Sequence, residues 1–96
     1  MTHRVTLTAT KPNDSVAFYE DPQDLKDLLI AAQNDGRIES ITTDENNNVK
    51  TTVIDYRDVE ACMSVIQDPV TVAFKEAQAV YNTENSIVLG LNSEDV

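Results

Sequence analysis

The chain has 96 residues, of which 41% are hydrophobic and 25% are charged, so it suits one domain spanning 1–96 with a core just large enough to be self-sufficient. Seventeen acidic residues against seven basic ones give a formal net charge of −10, which excludes direct binding to nucleic acid or to an anionic membrane. The charge is compatible with a basic protein partner, a metal ion or simple solubility.

The first third of the chain predicts a strand and then a helix. Residues 4–10 alternate strictly and are rich in β-branched side chains, which indicates a strand. Asp21 is suited to the N-cap of a helix with Pro22 at its first position, and Gly36 can adopt the left-handed conformation that ends the helix. Residues 15–19 are either a short extra strand or an extended approach to this helix.

The middle of the chain predicts a β-hairpin. Residues 37–43 indicate a strand in which a bulge would reconcile the spacing of Ile38 and Ile41. Residues 49–56 indicate its partner strand, and the acidic and Asn residues at 44–48 are typical of a polar turn.

The stretch from Val59 to Tyr81 predicts two consecutive helices. Its apolar residues recur at gaps of three and four, which places them on one stripe of a helix. Pro69 would interrupt a single helix, because it lacks a backbone N–H and clashes with the preceding turn. Two helices, about 58–67 and 69–82, remove the conflict if Asp68 caps the second, and Asp58 can cap the first. The stripe comprises Val59, Cys62, Met63, Ile66, Val70, Ala73, Phe74, Ala77, Val80 and Tyr81. The other side comprises Glu60, Ser64, Gln67, Lys75, Glu76 and Gln78.

The end of the chain completes an α+β fold. Residues 87–91 indicate the last strand and residues 92–96 a frayed tail. The order β-α-β-β-α-β is the ferredoxin-like arrangement, with the second helix broken at Asp68-Pro69. Right-handed crossovers then place the helices on one face of a four-stranded antiparallel sheet.

The two faces of this sheet are predicted to differ. The residues expected to face the helices are Val5, Leu7, Ala9, Val53, Ile87, Leu89 and Leu91. The residues expected on the opposite face are Thr6, Thr8, Thr10, Thr52, Ile54, Tyr56 and Val88, with Arg4 and Lys50 toward its ends. A sheet face exposed to solvent usually carries more charge. We therefore expect a second copy of the chain to cover it, which makes the protein a homodimer.

One part of the chain resembles a known family. The segment Tyr56-Arg57-Asp58-Val59-Glu60-Ala61, followed by Ile66-Gln67-Asp68-Pro69 and Ala73-Phe74, resembles the strand end, first helix, break and second helix of the dimeric α+β barrel proteins, which include the antibiotic-biosynthesis-type monooxygenases. The resemblance implies a homodimer whose two sheets pack into a barrel, sometimes enclosing a small-molecule pocket. Family members that degrade haem or form quinones use aromatic, Asn and His pocket residues. Because Trp is absent and His3 is the only His, the resemblance carries no activity over.

Few residues can carry chemistry. His3 is a candidate acid–base group or ligand because imidazole titrates near neutral pH, but the sequence gives it no partner and favours a plain strand-end residue. Tyr56 and Arg57 are candidates to line a pocket mouth, and with His3 they are the candidate ligand-binding residues. Cys62 lies on the helix stripe and is expected to be a buried thiol without a nucleophilic role.

The hairpin turn has the opening spacing of a calcium loop, at Asp44, Asn46 and Asn48. Val49 stands where that loop needs Gly, and Asp55 stands where it needs a bidentate acid. A polar turn is therefore favoured, and we predict no metal site.

These observations lead to three hypotheses of function. The first is a homodimeric barrel protein that acts by assembly or by binding a small apolar ligand, without a cofactor. The second is a cofactor-free, monooxygenase-like enzyme with His3, Tyr56 or Arg57 in a closed pocket. The third is an acidic protein that binds or inhibits a basic partner. We expect the protein in the cytoplasm. The sequence has a single cysteine, no apolar run long enough to cross a bilayer and no apolar signal segment.

Overall fold

The computed structural model describes residues 1–96 and consists of a four-stranded antiparallel sheet and three helices. The strands are β1 (His3–Thr10), β2 (Ile38–Asn46), β3 (Val49–Tyr56) and β4 (Val88–Asp95). The helices are α1 (Gln23–Asn34), α2 (Val59–Ile66) and α3 (Pro69–Glu84). The strand order is β2-β3-β1-β4, which confirms the predicted ferredoxin-like α+β class. None of the helices is long and apolar enough to cross a membrane.

Two aspartates set the boundaries of α2 and α3. Asp58 accepts a hydrogen bond from the backbone N–H of Ala61 at 2.8 Å, and Asp68 accepts one from Val70 at 2.9 Å. Pro69 opens α3, where its missing N–H removes no helical hydrogen bond. Both caps and the break between the helices are as the sequence predicted.

The first helix begins one residue later than predicted. Pro22, rather than Asp21, is the N-cap residue and supplies no side-chain capping bond. Asp24 accepts a hydrogen bond from the N–H of Leu25 at 2.8 Å, so an acidic side chain still pairs with a free backbone N–H of the first turn. The predicted C-terminus is confirmed, because Gly36 follows the helix with φ +85°.

The hairpin turn is shorter than predicted. Pairing between β2 and β3 continues to Asn46 opposite Val49, which leaves Asn47 and Asn48 as the turn. Asn47 has φ 56°, a left-handed conformation that Asn tolerates in a two-residue hairpin turn. The polar residues predicted as turn therefore belong mostly to β2. The predicted bulge is present, as a register shift between Ile38 and Ser40.

The prediction of a frayed tail at residues 92–96 is also wrong. β4 pairs with β1 along its whole length, ending with Asp95 opposite His3. Beyond it, the N–H of Val96 donates to the carbonyl of Thr2 at 2.9 Å. Backbone pairing holds this segment in the sheet although its polar, exposed side chains lack a strand pattern.

The register of β3 reverses part of the predicted face assignment. Val5 lies opposite Ile54 and Leu7 opposite Thr52, and directly paired residues project to the same face. Thr52, Ile54, Tyr56 and Lys50 therefore face the helices, and the prediction that placed them on the opposite face was wrong. Val53, predicted to face the helices, lies on the other side. Because β3 carries β-branched residues on both sides, its alternation did not distinguish the two faces.

The face away from the helices is called the outer face below. Thr6, Thr8 and Val88 lie on it, as predicted. Its residues in the two central strands are Arg4, Thr6, Thr8, Thr10, Val49, Thr51, Val53 and Asp55.

The hydrophobic core lies under α1 and α2 and contains no residue of α3. Its buried residues are Val5, Ala32, Ile38, Ile54, Tyr56, Ala61, Cys62 and Val65. Half of the predicted apolar stripe of α3 is exposed, namely Ala73, Ala77 and Val80, and Val80 is 60% exposed, whereas Val70, Phe74 and Tyr81 are half-buried. The buried residues of α3 are instead Thr71 and Asn82. The space between α3 and the sheet is therefore lined by core residues such as Val5, Ile54 and Cys62 together with the buried polar residues of α3.

Candidate functional site

A cavity of about 570 Å³ lies between the helices and the helix-facing side of the sheet. Small-molecule pockets measure roughly 300–1,000 Å³, so this volume suits a small organic ligand. Most of its wall is apolar. Representative apolar residues from the helices and strands are Leu25, Leu29, Ile66, Leu7, Leu89 and Leu91.

Helix α3 contributes a stripe of polar side chains to this cavity. Thr71, Lys75, Gln78 and Asn82 follow at gaps of four, three and four, which places them on one side of the helix, and all four line the cavity. The sequence analysis put Lys75 and Gln78 on the side away from the apolar stripe, and it did not identify Thr71 or Asn82 at all. The regular polar spacing was the signal that could have found them.

Thr71 is the least satisfied polar group of the site. Its side chain is buried, with 6% exposure, and its hydroxyl has no hydrogen-bond partner within the protein. An unpaired buried polar group costs about 1–3 kcal/mol. A hydrogen-bonding group of a ligand in the cavity would offset this cost.

His3 has a partner that the sequence did not indicate. Its Nδ1 lies 2.9 Å from Oδ1 of Asp95, and its side chain is 16% exposed and lines the cavity. If Nδ1–H donates to the carboxylate, Nε2 of the neutral ring is left as an acceptor. The sheet register brings this pair together and places Tyr56 on the other side of His3. The expectation that His3 lacks a partner was wrong because residues 92–96 were expected to be a tail.

Tyr56 and Cys62 form a buried part of the cavity wall near His3. Burial raises the pKa of Tyr56 to about 12, so the phenol stays neutral and can donate a hydrogen bond. Burial also raises the pKa of the Cys62 thiol, which leaves it protonated and a poor nucleophile at neutral pH. The predicted burial of Cys62 is confirmed.

Arg57 does not join this group. Its side chain is exposed, and its Nε donates to Asp58 at 3.3 Å rather than reaching the cavity. Of the three candidate ligand-binding residues, His3 and Tyr56 line the cavity and Arg57 does not.

The segment before α1 closes one side of the cavity. Residues 15–19 form no strand, because Ser15 lies in a turn and Val16 in a bend, and residues 17–19 then lead to the helix. The hydroxyl of Tyr81 donates to the carbonyl of Ala17 at 2.6 Å. The Tyr19 ring packs against Phe74 and Tyr81, with ring centroids 5.7 and 5.2 Å away. These contacts hold Phe18 and Tyr19 in the cavity wall.

Comparisons with known proteins identify the fold. No protein-family model matches the sequence, and no curated protein matches it. Solved structures do match. A conserved protein of unknown function from Bacteroides thetaiotaomicron, described as a possible oxidoreductase, has a TM-score of 0.66 at 10% identity, covering 99% of this chain and 97% of its own. SnoaB, a cofactor-independent oxygenase from Streptomyces nogalater, has a TM-score of 0.60 at 8% identity, covering 99% and 92%.

A third similar structure comes from Deinococcus radiodurans and is provisionally assigned as an antibiotic biosynthesis monooxygenase. It has a TM-score of 0.57 at 9% identity, covering 97% of this chain and 91% of its own. The chain shares the fold of these three proteins. At such identities the likeness concerns the fold alone, so function must be argued from the site.

Within this fold, the polar groups of the cavity lie at two ends. Tyr56 and Lys50 are six residues apart on one face of β3, which separates them by about 20 Å. His3 and Cys62 accompany Tyr56 at one end, and Phe18 accompanies Lys50 at the other. No cluster of three or more His, Cys, Asp or Glu residues is placed to hold a metal ion. The arrangement can bind an elongated molecule and contact polar groups at its ends.

Proposed function

We propose that the protein binds a small, largely apolar organic molecule in the cavity between its helices and its sheet. The observation that carries this proposal is the buried, unpaired hydroxyl of Thr71 in the wall of a cavity of about 570 Å³. A helix that served only to cover the sheet would bury an apolar stripe there. Helix α3 instead buries Thr71 and Asn82, and it lines the cavity with Lys75 and Gln78 as well as with the apolar Phe74 and Ala79.

The test is binding of the neutral fluorescent probe N-phenylnaphthylamine. The wild type should bind it saturably, with increased probe fluorescence. Thr52→Phe should weaken binding about tenfold or more, because Thr52 lines the cavity and the larger ring would fill it. Thr83→Phe is the matched control, since Thr83 is exposed on α3 and does not line this cavity. Absence of probe binding by the wild type, or equal binding by a folded Thr52→Phe variant, would contradict the proposal.

A second candidate function is proton abstraction without a cofactor. The hydrogen bond between His3 and Asp95 favours it, because a carboxylate that orients imidazole also stabilises the imidazolium formed when Nε2 accepts a proton. The neutral phenol of Tyr56 could donate to an oxyanion that develops on the bound molecule. SnoaB, which shares the fold, is described as a cofactor-independent oxygenase.

Deuterium exchange into an enolisable aromatic ketone, acetophenone, tests this candidate by NMR. The wild type should accelerate exchange at the methyl group, and His3→Ala should abolish the acceleration. Asp95→Asn should reduce it, because the amide cannot stabilise the imidazolium by charge. Thr8→Ala on the outer face of β1 is the control and should match the wild type. Acceleration that survives in His3→Ala would eliminate His3 as the base.

We also propose that two copies of the chain associate through the outer face and that the protein works in the cytoplasm. The centre of that face carries Thr6, Thr8, Thr51 and Val53 rather than charged residues. The free thiol of Cys62 is compatible with a reducing compartment.

A further inference from the structure

We infer that the cavity takes an amphipathic organic anion, in which an apolar body carries one acidic group such as a carboxylate or a phenolate. The inference rests on the proposed binding function and adds the charge of the ligand to it.

The first observation is how the cations of the protein are used. All three arginines are ion-paired at the surface. The pairs are Arg4–Asp55 at 2.8 Å, Arg37–Asp35 at 2.8 Å and Arg57–Asp58 at 3.3 Å. None of the four lysines forms an ion pair. They are Lys11, Lys26, Lys50 and Lys75. The chain has 17 acidic residues, yet none of them forms an ion pair with a lysine.

The second observation is where these lysines lie. Lys50 and Lys75 line the cavity, and the only carboxylate that lines it belongs to Asp21. Lys11 lies beside Lys50, because the Nζ atoms of Lys11 and Lys50 lie 4.6 Å and 5.8 Å from the centroid of the same Phe18 ring. Two of the four unpaired lysines therefore line the cavity and a third lies beside the Phe18 ring, whereas Asp21 is the only acidic residue of the lining.

Lys75 is an exposed residue at the cavity, and its charge reaches the cavity wall. Its ammonium opposes the effect of burial on the pKa of Cys62, which is a buried residue of the wall. The face of the Phe18 ring attracts the ammonium groups of Lys11 and Lys50 and holds them at the cavity edge. The lysines are thus directed by their surroundings rather than spread in solvent.

Physical chemistry favours an anion as the ligand. A net charge of −10 repels anions from most of the surface, so an acidic ligand needs a local concentration of positive charge. An ammonium group beside an apolar wall interacts more strongly with an anion than it would in water, because the local dielectric constant is lower. The apolar wall would bind the body of the ligand, and the Thr71 hydroxyl would donate or accept a further hydrogen bond.

The experiment compares three naphthalene derivatives of nearly equal shape. They carry a carboxylate, a carboxamide or a methylammonium group at the same ring position, and each is titrated against protein loaded with N-phenylnaphthylamine. We expect the carboxylate to bind about tenfold more tightly than the carboxamide, and the ammonium derivative to bind most weakly. Added salt should reduce the difference between carboxylate and carboxamide.

Single substitutions then locate the effect. Lys50→Gln and Lys75→Gln should each weaken carboxylate binding by about three- to tenfold. Carboxamide binding should stay unchanged, and this unchanged affinity would also show that the variants are folded. Asp21→Asn should strengthen carboxylate binding. Lys26→Gln is the matched control, because Lys26 lies on the exposed side of α1.

The outcomes separate the two proposals. Equal affinity for carboxylate and carboxamide would overturn the inference and leave apolar binding in place. Displacement of the dye by neither compound would also overturn it. Failure of the dye itself to bind would contradict the proposed function. A preference for the carboxylate that persists in both lysine variants would eliminate these lysines as its cause.

Discussion

Tyr56 illustrates how the position of a single side chain changes its chemistry. It is 2% exposed, and burial raises its pKa to about 12, against roughly 10 for a free tyrosine. The folded state therefore keeps a proton that the unfolded state loses above about pH 10. Stability supplied by the neutral phenol is present below that pH and is lost as the pH rises toward 12.

Tyr56→Phe should remove this alkaline loss. We expect the free energy of unfolding of the wild type to fall by up to about 3 kcal/mol more than that of the variant between about pH 10 and 12. Urea denaturation at a series of pH values measures the difference. The comparison should be made in a Cys62→Ala background, because the raised pKa of that thiol also lowers stability as the pH rises. Parallel pH curves for the two proteins would contradict the prediction.

The sequence located only some of the residues of the site. His3 and Tyr56 were candidates because their chemistry is visible from residue type alone. The role of Asp95 was not visible, because it is 92 residues away from His3 and lies in a polar segment without a strand pattern. Thr71 and Asn82 were missed because polar residues in a helix are usually solvated, and only the packing of α3 reveals the cavity beside them.

The sequence located the helices and strands more accurately than it indicated which side of each is buried. Caps and breaks such as Asp68-Pro69 are local signals and gave the bounds of α3 to within two residues at its C-terminal end. The side that a helix buries depends on what it packs against. In α3, Val and Ala residues formed a regular stripe that resembled a core face, but the helix turns its polar stripe inward because it lines a cavity. The two faces of β3 were exchanged for a similar reason.

The C-terminal end of α1 offers a test of local backbone conformation. Gly36 has φ +85°, and a Cβ added there would meet nothing within 4 Å, so substitution has a conformational cost alone. We expect Gly36→Ala to lower the free energy of unfolding by about 1–2 kcal/mol. Chemical denaturation would measure this change.

Gly90→Ala is the control for that measurement. Gly90 lies in β4 without a positive φ, and an added Cβ would make ordinary contacts with Thr8, the nearest at 3.8 Å. We expect its stability to stay within about 0.5 kcal/mol of the wild type. Equal destabilisation by both substitutions would show that the conformation of Gly36 is not the cause.

The sheet register changes which residue should be substituted to test the association of two chains. Ile54, which the sequence placed on the face for dimer contact, is buried against the helices, so its substitution would disrupt the core. The appropriate position is Val53, which lies between Thr6 and Thr42 on the outer face. A stable interface buries about 1,200–2,000 Å² in total, which an extended sheet face can supply.

Val53→Glu should convert a dimer into a folded monomer. We expect light scattering to give a mass near twice the 10.6 kDa of one chain for the wild type and near that of one chain for the variant. Two buried glutamates facing each other would lose hydration without gaining a partner. Val72→Glu, at an exposed valine of α3, is the control and should remain a dimer. A monomeric wild type would refute association through this face.

The pairing of His3 with Asp95 also has a kinetic consequence. β1 is the first strand of the chain, and its two sheet neighbours, β3 and β4, are made later, β4 last of all. Contacts between residues so distant in the chain close large loops and form slowly. The His3 end of the cavity is therefore completed only when the last strand docks. A ligand that contacts this pair would bind the finished fold and no earlier intermediate, so its binding would report the final step of folding directly.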